Sequence, residues 1–140
     1  MKLKYLASAV LAVLLATWTA SALPGSFSKT YREAVRLYEH GMFDRARVLF
    51  ESLSSESAED PMSAGYALLC AIQQKAAGYE ESIATYTSKY GQTPLSSPIH
   101  HLYATSLFDD GRYAEAAGEF DQVNSKGMSR RDYTELLFAI

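Results

Sequence analysis

The sequence has little of what disulfide-stabilised proteins and most enzymes depend on. Its 140 residues include one cysteine, Cys70, four prolines and one tryptophan. A single cysteine excludes an internal disulfide. The chain also lacks a Gly-x-Ser-x-Gly nucleophile motif, a glycine-rich phosphate loop and a His-Glu-x-x-His zinc motif. Nothing in the sequence therefore favours catalysis, and we expect a protein that is not an enzyme and that uses no cofactor.

The N-terminus has the features of an export signal. Two lysines precede an apolar run over residues 5–16, and the small residues Ala20 and Ala22 follow it. This order is typical of a secretory signal peptide cleaved after Ala22, because signal peptidase accepts only small side chains at its cleavage site. The sequence predicts a signal peptide over 1–22 and an exported bacterial protein, periplasmic or outer-membrane-associated. An uncleaved anchor is the alternative.

The charge of the remaining chain argues against nucleic acid as a partner. The whole sequence has 13 basic and 16 acidic residues, and loss of the two N-terminal lysines leaves 11 against 16, a formal charge of −5. Binding to phosphate backbones requires a basic face, which this composition does not provide.

Helical patterns fill the sequence after the signal segment. No stretch alternates apolar and polar residues over the length of a strand, and proline and glycine fall between the apolar-periodic segments. Asp60-Pro61 and Ser97-Pro98 each predict an N-cap followed by the first helical residue, and Gly91 predicts a helix end. The sequence predicts an all-α protein with seven helices, over about 27–39, 44–54, 61–76, 79–89, 98–109, 113–122 and from 130 onward.

A repeated pattern connects these helices. Aromatic residues follow three successive turns at spacings of 36 and 34 residues, and three other columns agree at the same period. The columns are Phe43, Tyr79 and Tyr113; Ala46, Ser82 and Ala116; Phe50, Tyr86 and Phe120; and Ala34, Cys70 and Ala104. We expect these positions to form the core, since small residues allow close approach of helices and a single repeat cannot bury its own apolar face.

This pattern resembles the tetratricopeptide repeat, a helix–turn–helix unit of 34 residues. The resemblance implies a right-handed α-solenoid of antiparallel helix pairs over residues 23–140. Three repeats cover about 27–60, 61–96 and 97–128, and 129–140 is the first helix of a fourth. A longer tail over 54–60 is taken to explain the first spacing of 36 residues. The sequence also resembles the beginning of longer exported repeat proteins of the Bacteroides group, so we expect it to be the N-terminal part of such a protein.

The family also implies where partners bind. The first helix of each repeat lines a groove for a protein or peptide in this family. The matching positions here are Tyr31, Val35, Tyr38, Ala67, Ala71, Gln74, Leu102, Thr105 and Phe108. The alternative is that these side chains pack against neighbouring repeats.

We therefore expect an exported scaffold that mediates protein–protein interaction in the cell envelope. Two other interpretations stay open. The chain is an accessory module of a larger envelope assembly or enzyme whose active domain lies beyond residue 140, or it associates with itself through the apolar C-terminal helix.

The remaining reactive residues have simpler explanations. His100 and His101 point about 100° apart on a helix and cannot share a metal ion, so we expect no metal site. Cys70 occupies a small-residue column and is interpreted as a buried, inert thiol. The acidic residues near the turns are interpreted as solvated or capping; they are Glu80, Glu81, Asp109, Asp110, Glu115 and Glu119.

Overall fold

The computed structural model describes residues 28–123, which form six α-helices and no strand. The all-α prediction is confirmed for this part of the chain. The helices are α1 Lys29–Glu39, α2 Phe43–Glu56, α3 Pro61–Gln73, α4 Tyr79–Tyr90, α5 Ser96–Asp109 and α6 Tyr113–Phe120. The predicted signal peptide with Ala20 and Ala22, and the predicted helix from 130 onward, lie outside the described residues.

The predicted start of α3 is confirmed in detail. Pro61 is its first residue, and the Asp60 carboxylate accepts hydrogen bonds from the Met62 N–H at 2.9 Å and the Ser63 hydroxyl at 2.7 Å. The cap satisfies a backbone donor that has no partner within the helix. Gly91 ends α4 with φ 64°, as predicted, and its N–H donates to Thr87.

The predicted start of α5 is wrong by two residues. The helix begins at Ser96 rather than at Pro98, because Ser96 and Thr93 organise its entry. The Thr93 N–H donates to the Ser96 hydroxyl at 2.8 Å, and the Leu95 N–H donates to the Thr93 hydroxyl at 3.2 Å. Pro98 then lies in the first helical turn, where a missing N–H leaves no intrahelical bond unmade.

The three turns between paired helices share one geometry, but the second is longer. Residues 40–42 join α1 to α2 and 110–112 join α5 to α6, whereas 74–78 join α3 to α4. In each turn, a residue of positive φ follows the helix C-cap, with the backbone bonds of a Schellman-type end. These residues are Gly41, Lys75 and Gly111.

The extra residues explain the irregular spacing of the repeat. The positive-φ residues are 34 and then 36 residues apart, whereas the aromatics that follow them are 36 and then 34 apart. Two residues are therefore inserted between Lys75 and Tyr79, where Gly78 has φ 78°. The interpretation that the tail over 54–60 causes the 36-residue spacing is wrong.

This correction fixes which positions are equivalent in successive helix pairs. Residues of α3 correspond to those of α5 36 positions later, residues of α2 to those of α4 36 later, and residues of α4 to those of α6 34 later. Consecutive helices α1, α2, α3 and α4 contact one another in turn, α3 also contacts α5, and α5 contacts α6.

Two apolar clusters form the core, and seven of the twelve residues in the repeat columns lie in or beside them. The first joins α1, α2 and α3 around Phe50, and the second joins α3, α4 and α5 around Ile72 and Tyr86. The small residues Ala34, Ala46, Cys70, Ala104 and Ala116 are all at most 1% exposed, which confirms them as core positions. The prediction of a core position is wrong for Tyr113, whose side chain is 62% exposed, and for Ser82, which is also exposed.

Within residues 28–123, no helix combines the length and the apolar composition needed to span a membrane.

Candidate functional site

Two clefts lie between alternate helices of the molecule. The cleft between α2 and α4, which we call the first cleft, has a volume of about 430 Å³ and has α3 as its floor. The cleft between α4 and α6, the second cleft, has a volume of about 530 Å³ and has α5 as its floor.

The two clefts occupy equivalent positions in successive helix pairs. Five residues that line the second cleft have counterparts that line the first. The pairs, first cleft before second, are Arg47 and Ile83, Glu51 and Thr87, Ala64 and His100, Ala67 and Tyr103, and Thr85 and Glu119. The repeat therefore builds the same cleft twice, and the side chains that line it differ.

The floor of the second cleft carries two large polar side chains held by carboxylates. His100 Nδ1 lies 2.6 Å from Glu119 Oε2, with the two side chains only 15% and 27% exposed. The Tyr103 hydroxyl donates to Glu80 Oε2 at 3.1 Å. Burial and the neighbouring Glu80 carboxylate raise the pKa of Tyr103 to about 12. These contacts join α5 to α4 and to α6.

An arginine completes the polar network beside the second cleft. Arg112, the residue before α6, donates to Glu80 of α4 at 2.6 Å and to Glu115 of α6 at 2.6 Å. The hydrogen bonds from the guanidinium lower the pKa of both carboxyls. One cation is thus shared by two acids that belong to different helix pairs.

The first cleft lacks every one of these large groups. Ala64 and Ala67 stand where the second cleft has His100 and Tyr103, so its floor is formed by methyl groups. Gly78 stands where Arg112 stands, one residue before the turn aromatic. The floor also includes Leu68 and Ala71, and the walls carry Glu81, Tyr86, Lys89 and Tyr90.

The acidic counterparts are retained at the first cleft. Asp44 of α2 corresponds to Glu80, and Glu81 of α4 corresponds to Glu115. Neither the Asp44 nor the Glu81 carboxylate has a hydrogen-bond or ion-pair partner among the described residues. Arg47, a cation that lines the first cleft, donates to Glu51 at 2.6 Å and to Gln74 at 3.4 Å.

The groove residues inferred from the family resemblance lie in three different environments. Tyr31, Val35, Tyr38 and Leu102 pack on the core clusters. Tyr31 is only 9% exposed against the Phe50 ring, and burial raises its pKa to about 12. Ala67 and Ala71 line the first cleft, and Gln74 accepts a hydrogen bond from Arg47 at its edge.

The other two inferred residues lie on α5, away from the first cleft. The Thr105 hydroxyl donates to the His101 carbonyl, so it is engaged within its own helix. Phe108 is 47% exposed, and its ring contacts that of Tyr113 edge-on at 5.1 Å between centroids. Three of the nine residues, Ala67, Ala71 and Gln74, lie in or beside the first cleft, and Tyr31, Val35 and Tyr38 lie with Ala67 in or beside the first core cluster.

Sequence reasoning missed the carboxylates that hold the second cleft together. Glu80, Glu115 and Glu119 were interpreted as solvated or capping residues, and each instead contacts a basic or aromatic side chain. Asp110, also interpreted as solvated or capping, pairs with Lys75 at 2.6 Å and so links two turns. The repeat pattern contained one signal for this network. Arg112 directly precedes the turn aromatic Tyr113, whereas Gly78 precedes the equivalent aromatic Tyr79.

The thiol of Cys70, the one cysteine of the sequence, lies in the core. Cys70 is fully buried, as predicted, and desolvation raises the pKa of its thiol to about 12. A thiol of that pKa is protonated at neutral pH and is a poor nucleophile. Among residues 28–123, no three His, Cys, Asp or Glu side chains are grouped so that they could hold a metal ion.

Comparison of the chain with protein-family models, with curated proteins and with solved structures gives no match.

Proposed function

We propose that this protein is an exported scaffold of tetratricopeptide-like repeats, arranged as a right-handed solenoid, that binds a protein partner in the bacterial cell envelope. It has no catalytic activity of its own. Three features support the proposal: the signal-like N-terminus, the repeated helix pairs, and a cleft lined by apolar methyl groups with charged walls.

The open first cleft is the observation that carries this function. Ligand sites are concave, mostly apolar and bordered by a few polar groups, and the first cleft has these features. The equivalent positions of the second cleft carry His100 and Tyr103, so the same backbone arrangement accepts side chains of that size. Ala64 and Ala67 instead present a methyl-lined surface to a partner.

Filling the first cleft tests the function. Ala67→Tyr places in the cleft the residue that its equivalent position already holds, so we expect the variant to fold. A matched control is Ala117→Tyr, at an exposed position of α6. Partners are captured from envelope extract with the wild type and then purified, and binding is measured directly. The proposal expects that Ala67→Tyr abolishes binding and that Ala117→Tyr preserves it; equal binding by both variants contradicts it.

The export component has a separate test. Expression of the full sequence in a Gram-negative host, followed by fractionation and N-terminal sequencing, is expected to give a mature protein that begins at Leu23. A cytoplasmic protein that retains Met1 contradicts export.

A further inference from the structure

The carboxylates beside the first cleft define the charge of a group that fits there. In the second and third helix pairs, Glu80 and Glu115 clamp one arginine, Arg112, from two sides. In the first and second helix pairs, the equivalent acids are Asp44 and Glu81, and a glycine occupies the position of the arginine. Glu81 lines the first cleft, Asp44 holds the position equivalent to Glu80 in the first turn of α2, and Gly78 offers no cation between them.

The chain's own backbone explains why it does not supply that cation. Gly78 has φ 78°, a left-handed conformation that side chains other than glycine rarely adopt, whereas Arg112 has φ −86°. The two inserted residues of the second turn produce this difference. Among residues 28–123, no basic side chain pairs with the Asp44 or Glu81 carboxylate.

The apolar part of the cleft defines the second group. In the second cleft, Tyr103 of α5 projects from the floor, and its ring also contacts Tyr79 at 5.9 Å between centroids. The equivalent floor residue is Ala67, which lies beside Ala64, Leu68 and Ala71 in the first cleft. The first cleft has a volume of about 430 Å³, which accommodates an aromatic ring from a partner against these apolar side chains.

We propose that the first cleft binds a partner segment that carries an arginine and an aromatic side chain on one face. The arginine lies between Asp44 and Glu81, as Arg112 lies between Glu80 and Glu115. The aromatic ring lies over Ala64 and Ala67, as the ring of Tyr103 lies over the equivalent floor. This partner chemistry rests on the proposed binding function, and it specifies what that function recognises.

The charges that face the site favour arginine over an acidic group. Arg47 is neutralised by Glu51, and the Lys89 amine donates to the Ala58 carbonyl at 2.7 Å and lies over the Tyr90 ring. Lys89 and Glu81 are two helical turns apart on α4, about 12 Å along its axis. The Lys89 ammonium at one end of the cleft therefore does not neutralise Glu81 at the other end.

Short helical peptides test the inference by fluorescence anisotropy with the full mature chain. The probe has arginine and tyrosine about four residues apart, on one helical face. In the comparison peptides, glutamine or glutamate replaces the arginine. We expect the arginine peptide to bind about tenfold or more tightly than the glutamine peptide, and the glutamate peptide to bind weakest, since charged hydrogen bonds are lost.

Two protein variants assign the site. Glu81→Gln is expected to weaken binding of the arginine peptide about tenfold, with no effect on the glutamine peptide. Glu115→Gln is the matched control, because Arg112 already occupies that carboxylate, and it is expected to bind like the wild type. Absence of binding, equal binding of the arginine and glutamine peptides, or an unchanged affinity in Glu81→Gln overturns the inference.

Failure here and failure of the proposed function are distinguishable. If a purified envelope partner loses binding with Ala67→Tyr but the arginine peptide does not bind, the scaffold function stands and the partner chemistry is wrong. If Ala67→Tyr leaves partner binding intact, the first cleft is not the site and both proposals fail.

Discussion

At the scale of single residues, burial decides what a side chain does. Cys70 and Ala34 occupy one column of the sequence pattern, and both have no exposed surface. Their burial was predictable because a small residue at a fixed period marks close helix packing. Glu119 was not predictable, since its partner His100 is 19 residues away and only the packing of α6 on α5 brings them together.

The thiol of Cys70 is expected to be unreactive in the folded protein. It is fully buried, and its pKa is raised to about 12, so neither access nor ionisation favours attack on a disulfide reagent. Titration with Ellman's reagent at pH 8 is expected to give no rapid release in buffer and one thiol in denaturant. Rapid stoichiometric labelling of the native protein contradicts this account of the core.

The glycine at position 65 is expected to be required by packing. A Cβ added at Gly65 would lie 2.6 Å from Leu95 Cδ1 and 2.8 Å from the Tyr86 hydroxyl, which donates to Pro61. Overpacking costs about 1–3 kcal/mol and alanine recovers about 1 kcal/mol of helix propensity. Gly65→Ala is therefore expected to lower the free energy of unfolding by about 1 kcal/mol, measured by urea denaturation.

Gly118 of α6 is the matched control for Gly65. A Cβ there meets no atom within 4 Å, so only helix propensity changes. Gly118→Ala is expected to raise the free energy of unfolding by about 0.5–1 kcal/mol. A stabilising Gly65→Ala, or equal effects at the two sites, contradicts the close approach of α3 to Tyr86 and Leu95.

At the scale of elements, local signals predicted most helix ends, and tertiary contacts decided the rest. Asp60-Pro61 predicted the start of α3 because the cap lies within two residues of the bonds it makes. The helix start predicted from Ser97-Pro98 is wrong, because the hydrogen bonds of Thr93 and Ser96 start the helix two residues earlier. The five-residue second turn was also not predicted. Its first residue of positive φ is Lys75, and a lysine in the sequence does not indicate a positive φ.

The contact between α4 and α6 is expected to weaken in acid. The hydrogen bond from Arg112 lowers the pKa of Glu80 from its ordinary value of 4.5, so the ionised carboxylate stabilises the fold above that value. The stabilisation is lost as the pH falls through the lowered pKa. Both partners are more than one-third exposed, so the pair is worth about 0.2–1 kcal/mol at neutral pH.

Urea unfolding from pH 7 to pH 3 measures this contribution. Glu80→Gln is expected to be less stable than the wild type at pH 7, with the difference shrinking as the pH falls below 4.5 and through the lowered pKa of Glu80. Glu81→Gln is the matched control, because it lies in the same first turn of α4 and has no arginine partner. A constant difference across the range, or an equal effect of Glu81→Gln, contradicts the role of the Glu80–Arg112 pair.

At the scale of the whole molecule, the repeated helix pairs form two equivalent clefts that are lined by different side chains. The period in the sequence predicted which residues form the core, because packing constraints recur with every helix pair. It did not predict the first cleft. That cleft depends on the small size of Ala64, Ala67 and Gly78 compared with the residues at equivalent positions about 34 residues later. Comparing equivalent positions becomes possible only when the structure locates the two inserted residues.

The inferred groove residues show the same limit. The resemblance placed Tyr31 and Tyr38 beside Ala67 and Ala71 on one binding surface, but the two tyrosines pack in and against the first core cluster. All four residues lie on helices, and the environment of each side chain depends on its neighbours in the next helix. Here that neighbour is Tyr66 of α3, whose ring contacts the rings of both Tyr31 and Tyr38.

The most direct test of the central claim is a titration with 4-methylphenol, the side-chain analogue of tyrosine, followed by amide chemical shifts. The floor of the first cleft is made of methyl groups, whereas the floor of the second carries the hydrogen-bonded side chains of His100 and Tyr103, so the account predicts shifts at Ala64, Ala67 and Ala71 and none at His100 or Tyr103. In the His100→Ala/Tyr103→Ala variant, shifts are expected to appear at the second cleft as well. Absence of shifts at the first cleft, or shifts confined to the second cleft of the wild type, would contradict the account.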